Sequence, residues 1–237
     1  MSDLKKFLLI TPSYKRPYML RSCIADAINQ DYKNFYHSIA VYHDNTEYDY
    51  TPLYDDLLPK CLDKHGKCNT QIKYNKVGDQ HENYTNAIKY VSNEIGETID
   101  YIVKWDDDDI HTADYLNTIN DVINANPTYN IYSFKLQTQL NNYHLRNGDY
   151  HNLGGMPEYV GMPNTLIFDK VAAKYILQLR SNSEKYNYFR KKYPGHEDTV
   201  WVNLWDQMGL RFYLGTVDSF IWNIHGGNIS IGNWVEN

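Results

Sequence analysis

Apolar residues along the chain follow two different periods. Residues 7–12 (FLLITP) form a continuous apolar run closed by a proline, which predicts a short buried strand. Over residues 18–30 the spacing changes. Met19, Leu20, Cys23, Ile24, Ala27 and Ile28 recur so as to share one helical face. A second strand is expected over 38–43 (SIAVYH) and a weaker third over 71–75. A helix follows over 81–95, with Tyr84, Ala87, Ile88 and Val91 on one side, and then a strand, YIVKW, at 101–105. Thr112 is the expected N-cap of the next helix, whose Tyr115, Leu116, Ile119 and Ile123 line one face. Strands alternating with helices predict βαβ units and a mostly parallel sheet.

The second half is more mixed. Strands are expected over 130–136 and 164–168, and one or two more within 211–224. Helices are expected over 169–180 and 197–208, the latter turning Val200, Trp201, Leu204, Trp205 and Met208 inward. The tail from Asn223 is polar and glycine-rich, and no repeat, linker or low-complexity segment divides the chain. The expected class is α/β in a single domain over 1–237.

Composition narrows the function classes. The chain has 237 residues, 42% hydrophobic and 22% charged, enough for one sizeable core. Its 23 tyrosines fit either a compositional bias or surfaces suited to sugars, since tyrosine pairs an apolar face with a polar tip. A net charge of −6 disfavours a protein that lives on phosphate-backbone contacts. The basic runs, Arg190 to Lys192 and the looser Lys5, Lys6, Lys15, Arg16 and Arg21, read as solvated surface. Cys23, Cys61 and Cys68 are odd in number and contain no CxxC pair, against both a disulfide framework and a zinc site. A reducing cytoplasm is the expected compartment. The N-terminal apolar stretch is too short for a leader, no segment approaches the ~20 apolar residues of a membrane span, and the Asn-x-Ser/Thr matches at Asn83 and Asn228 are chance-level.

The sharpest feature is Trp105-Asp106-Asp107-Asp108-Asp109-Ile110. Consecutive aspartates repel one another and favour a turn over a helix or strand interior. They follow the C-terminal end of a strand, the edge where open α/β sheets bind ligands. Carboxylates crowded there call for a cation, and all-oxygen ligands suit hard Mg²⁺ or Mn²⁺, which would neutralise a diphosphate. The alternative is an acidic solvated turn.

The stretch YIVKWDDDDIHTADYL resembles the Asp-x-Asp segment of family 2 glycosyltransferases and their GT-A relatives. The resemblance implies a GT-A (Rossmann-like) fold, with a mixed, mostly parallel sheet flanked by helices. It also implies a nucleotide-sugar-binding half over 1–110 and an acceptor-binding, catalytic-base half over 111–237. Asp108 would bind the metal, Asp106 would meet the donor ribose or a metal-bound water, Asp107 fills the variable place, and Asp109 is the extra acidic residue. Other segments resemble the family in order. FLLITPSYKRPYMLRSCIADAINQDY is similar to its first strand, turn and helix, so Thr11, Pro12, Tyr14 and Arg16 are expected at the nucleotide. AVYHDN places Asp44 at the base, without the usual Asp-Gly-Ser continuation; an Asx-type turn is the alternative. QHENYTNAIKYV resembles the helix that carries Ala-Arg-Asn, but Thr85 stands at the arginine place. Gln80, His81 and Asn83 are therefore expected near the site, with helix capping as the alternative.

GHEDTVWVNLW resembles the family's Glu-Asp motif, which implies Glu197 and Asp198 as catalytic residues and Asp198 as general base. Helix N-terminal carboxylates are the plainer explanation. WNIHGGNIS implies His225 as a second metal ligand, with Gly226 and Gly227 letting the backbone close over the donor. YVGMPNTLIFDK puts Met162 and Asn164 on the acceptor wall or in the core, and Trp201 and Trp205 are read as core. The implied activity is a metal-dependent, inverting transfer from a UDP-sugar to a hydroxyl of a glycan or lipid-linked glycan. A phage-type transferase acting on a hydroxymethylated DNA base, with nucleic acid as acceptor, is an alternative that the net charge does not favour. A nucleotidyltransferase would carry a glycine-rich loop where this chain has TPSYKRP. A non-catalytic sugar-binding module would not need the Glu-Asp motif, and a phosphatase would place its aspartates on the first strand.

Overall fold

The computed structural model describes residues 3–42, 52, 54–63, 65–75, 80–94, 99–141, 144–150, 157–192 and 197–224. Four parallel strands form the N-terminal side of one sheet. They are β1 (Phe7–Tyr14), β2 (Phe35–Tyr42), β3 (Thr70–Asn75) and β4 (Tyr101–Lys104). The sheet continues through β8 (Ile167–Asp169), β6 (Ile131–Asn141), β9 (Phe212–Ile224) and β5 (Ile110–His111). Its order is β3-β2-β1-β4-β8-β6-β9-β5, and β7 (His144–Tyr150) pairs with β6. Beyond β4 the sheet is mixed: β8 is antiparallel to both β4 and β6, whereas β6 and β9 are parallel.

Helices cover both faces because alternate strand residues point opposite ways. Leu8 and Ile10 pack with α2 (Gln80–Glu94), α4 (Lys170–Arg180) and α6 (Glu197–Gln207). Phe7 and Leu9 pack with α1 (Pro17–Asn29) and α3 (Tyr115–Ala125). A further helix, α5 (Ser183–Lys192), docks through Phe189 alone among its buried residues. Its Arg190, Lys191 and Lys192 fill the last turn, where the helix dipole favours cations. Arg190, Lys191 and Lys192 are all exposed, as expected. Cys23, Cys61 and Cys68 are free thiols, and among the described residues no helix is long and apolar enough to cross a membrane.

Three local expectations are corrected. The first strand does not stop at Pro12 but runs to Tyr14. Ile10 C=O accepts from Trp105 N–H at 3.1 Å, so Pro12, with the same orientation, turns its missing N–H past the end of β4. The N-cap position of α3 is Asp114, not Thr112, whose hydroxyl instead lies 2.9 Å from Ser219 C=O on β9. Met208 lies past the end of α6 and is 41% exposed, so it is not part of the inward face.

Asp26 on α1 accepts a hydrogen bond from His111 N–H at 3.2 Å. Burial pushes its carboxyl up to about 6, with that bond pulling the other way. In the unfolded chain the same group ionises near pH ~4. Between these values the unfolded state has released a proton that the folded state still holds, so stability falls as pH rises through the window. An asparagine at this position cannot ionise and keeps an acceptor for the His111 N–H. Calorimetry of Asp26→Asn should show a melting temperature a few degrees above wild type at pH ~7 and equal to it at pH ~3.5.

Candidate active site

The chain leaves β1 toward β2 and returns from β3 on the other side to form β4, so the crevice between the C-terminal ends of β1 and β4 is a topological switch point. Two segments meet there. The turn after β1 carries Lys15 at φ 54°, then Arg16, and Pro17 opens α1, where a missing N–H is harmless. The acidic run leaves β4. Thr11 holds the two strands together: its fully buried hydroxyl lies 2.6 Å from Trp105 C=O and 2.8 Å from His37 Nε2.

The four aspartates have separate surroundings. Asp106 accepts from the Tyr84 hydroxyl through Oδ1, and its Oδ2 lies 3.2 Å from Lys104 Nζ. Asp107 is buried against Arg16, with Oδ1 2.6 Å from one guanidinium nitrogen. Asp108 pairs with the other guanidinium nitrogen, and its side chain keeps 12% exposure. Asp109 turns inward, accepting from Asn164 Nδ2 at 2.8 Å and from Asn223 N–H at 3.2 Å. Burial drives Asp106, Asp107 and Asp109 above the usual carboxylate range, opposed at Asp106 by Lys104 and at Asp107 by Arg16.

The second acidic pair arrives from α6. Glu197 and Asp198 open that helix, and both are buried. Asp198 Oδ2 accepts from Lys104 Nζ at 3.0 Å, and its Oδ1 lies 2.9 Å from the same ammonium. Glu197 is different: burial, with the neighbouring Asp198 charge, pushes its carboxyl well above the usual range, against the pull of Lys104. Asp198 is the member of the pair that is ion-paired with Lys104.

Of the residues expected at the site, Arg16, Asp106, Asp107, Asp108, Glu197 and Asp198 come together. Tyr14 lies beside the crevice, 37% exposed, its ring 5.0 Å from that of Tyr42. Pro12 is buried within β1, and Asn83 is buried near the start of α2. Met162 is 1% exposed inside the core, and Asn164 serves Asp109. Trp201 and Trp205 are core residues; the Trp201 indole N–H donates to His81 Nδ1 at 2.9 Å. Asp44 and His225 lie outside the described residues.

Lys104, Tyr84 and Arg180 were not singled out by sequence reasoning. Lys104 had a signal, a single charge inside an otherwise apolar strand. Tyr84 was read only as part of an apolar helix face. Arg180, on α4, bonds Thr85 Oγ1 at 2.9 Å and also meets Asn86 and Glu82, so a guanidinium reaches the part of α2 where Thr85 stands at the arginine place.

No protein-family model matches the chain, and no curated protein matches it. Solved structures do. S. aureus TarS 1–349 in complex with UDP-GlcNAc superposes with a TM-score of 0.63 at 13% identity, covering 97% of this chain and 62% of that one. TarS 1–349 without a named ligand gives 0.60 at 13% identity, and its UDP complex gives 0.57 at 12%, each covering 92% of this chain and 60% of that one. This chain thus spans about three-fifths of the TarS 1–349 chains it matches. At such low identity the likeness establishes the fold, and the chain has the fold of a GT-A type glycosyltransferase.

Proposed function

We propose that this protein is a glycosyltransferase that moves a sugar from a nucleotide diphosphate donor to an acceptor hydroxyl by direct displacement, with Asp198 as general base. The observation that carries the reading is the meeting of two acidic motifs, Asp106–Asp109 and Glu197–Asp198, through one buried lysine at the switch point of the sheet. The solved structures of similar fold include complexes with UDP-GlcNAc and UDP, which supports a UDP-sugar as donor. The acceptor oxygen attacks the anomeric carbon opposite the diphosphate, its proton passes to Asp198, and the electron pair of the breaking C–O bond leaves with the nucleotide. A single displacement inverts the anomeric centre. A glycan or lipid-linked glycan hydroxyl is the proposed acceptor, and Met162 and Asn164 stand as proposed acceptor-side residues.

The carboxylates fit a hard divalent ion in chemistry and in charge. Asp106, Asp107, Asp108 and Asp198 face two cations, Arg16 and Lys104, which leaves an excess of negative charge. Among the described residues no group of three His, Cys, Asp or Glu side chains forms a ready chelate. Mg²⁺ at nucleotide sites needs only one or two carboxylates, since substrate phosphates and water complete its shell. Asp108, which like Asp106 is partly exposed, would hold Mn²⁺ or Mg²⁺, with His225 as the second proposed ligand. The bound ion would neutralise the leaving diphosphate.

A thermal-shift series with UDP-GlcNAc, UDP and GDP, each with Mn²⁺, Mg²⁺ or EDTA, tests the reading. A ligand at ~100 times its Kd adds roughly 2.7 kcal/mol, a rise of several degrees for a chain of this size. Stabilisation by the UDP ligands that EDTA removes is the expected result. No shift with any nucleotide, with or without metal, would overturn it.

A further inference from the structure

We propose that Lys104 is a positioning residue for this reaction: its ammonium clamps the Asp198 base to Asp106 and so sets the base's distance from the donor. The inference rests on the transferase reading above. Lys104 Nζ donates to Asp198 Oδ2 at 3.0 Å and lies within ion-pair distance of Asp198 Oδ1, at 2.9 Å, and of Asp106 Oδ2, at 3.2 Å. Tyr84 donates to the other oxygen of Asp106, Oδ1, so one ammonium faces both acids while Tyr84 fixes the second side of Asp106. The Tyr84 ring also lies 5.2 Å from Nζ, a favourable face for a cation.

The clamp is rigid at its root. Lys104 N–H donates to Leu166 C=O at 2.9 Å, and Lys104 is in register with Ile10 of β1, so a central strand aims the side chain. Its side chain is 3% exposed, which keeps solvent from competing for the ammonium. Burial opposes the charge, but Asp106 and Asp198 outweigh it and hold Lys104 above the ordinary lysine range. Asp198 belongs to a helix that starts 93 positions after Lys104 in the chain and comes to the crevice from outside the β1–β4 unit. Among the described residues, Lys104 is the group that ties the Asp198 carboxylate to the acidic run.

A residue that merely neutralised charge would change stability and leave the kinetic constants in proportion. A positioning residue lowers kcat and spares donor binding. UDP-GlcNAc hydrolysis, with water as acceptor, and calorimetric UDP binding are compared in wild type, Lys104→Met and Lys104→Arg. The expected result is a kcat about 100-fold lower in Lys104→Met, the scale of a ~1 Å misplacement, with KM and UDP Kd within about three-fold. Lys104→Arg, which restores a cation, should recover about ten-fold of that loss. A Lys104→Met kcat within about three-fold of wild type, or a Kd that weakens in step with kcat, would overturn this role alone. Wild-type protein that does not turn over UDP-GlcNAc would overturn the transferase reading and this role together. Should Lys104→Met not fold, Lys104→Met/Asp198→Asn, which loses the charge with its partner, is compared with Asp198→Asn. A UDP Kd within about three-fold then supports the role, and a larger loss places Lys104 on the nucleotide and overturns it.

Discussion

Asp198→Asn is expected to lower kcat about 1,000-fold while leaving UDP affinity within about three-fold of wild type, the signature of a lost general base. The substitution is close to isosteric. The amide oxygen can still accept from Lys104 Nζ, which now lies 2.9–3.0 Å from both carboxylate oxygens, and Asp106 stays at 3.2 Å to share the charge. The fold therefore survives with a modest loss, about 1–3 kcal/mol for a weakened buried charge-assisted bond. Glu197 is the other acid of the motif, and burial together with its neighbour's charge pushes its carboxyl well above the usual range. Steady-state kinetics of UDP-GlcNAc turnover beside UDP calorimetry checks the expectation. Parallel loss of kcat and binding would move Asp198 from the chemistry to the nucleotide.

The largest expected effect on stability comes from Gly161→Ala. A Cβ at Gly161 would collide with Phe134 O and lie 2.5 Å from Phe134 C and 2.7 Å from Phe134 N. Those are backbone atoms of β6, in the middle of the sheet, and they cannot turn aside as a flexible side chain would. The segment lies so close because it is bonded to β6 throughout. Gly161 N–H donates to Ser133 Oγ at 2.9 Å, Met162 N–H to Phe134 C=O at 2.9 Å, and Phe134 N–H to Thr165 Oγ1 at 2.9 Å. Lifting it away breaks these bonds and strains a packed core, a loss of about 3 kcal/mol. That corresponds to a melting temperature roughly 6–12 °C lower, read by calorimetry. A drop below about 1 kcal/mol would show that the segment can move off β6 without loss. The same displacement would draw Asn164 from Asp109, so the acidic run should loosen with it.

Much of the fold was legible because burial writes a period into a sequence. The helices expected over 18–30, 169–180 and 197–208 are Pro17–Asn29, Lys170–Arg180 and Glu197–Gln207, each with an apolar stripe that a sheet face covers. The strand feeding the acidic run, and the helix opened by Glu197 and Asp198, were legible for the same reason. Elements without a clear period left no trace: α5 sinks only Phe189, and β7 runs over HLRNGDY, which has no alternation. The continuation of β1 past Pro12 depends on where β4 ends, which β1 itself does not encode.

By itself, then, the sequence determined the order of elements, the position of two acidic motifs and the strand edge that carries the first of them. Only the tertiary structure decided which carboxylates meet. It turned Asp109 inward to Asn164, set Arg16 between Asp107 and Asp108, and brought Asp198 onto Lys104 across a separation of 94 residues. The physical reason is that periodicity records how much of a residue is hidden from water, whereas the partner of a buried charge depends on sheet order and helix docking, which local spacing does not specify.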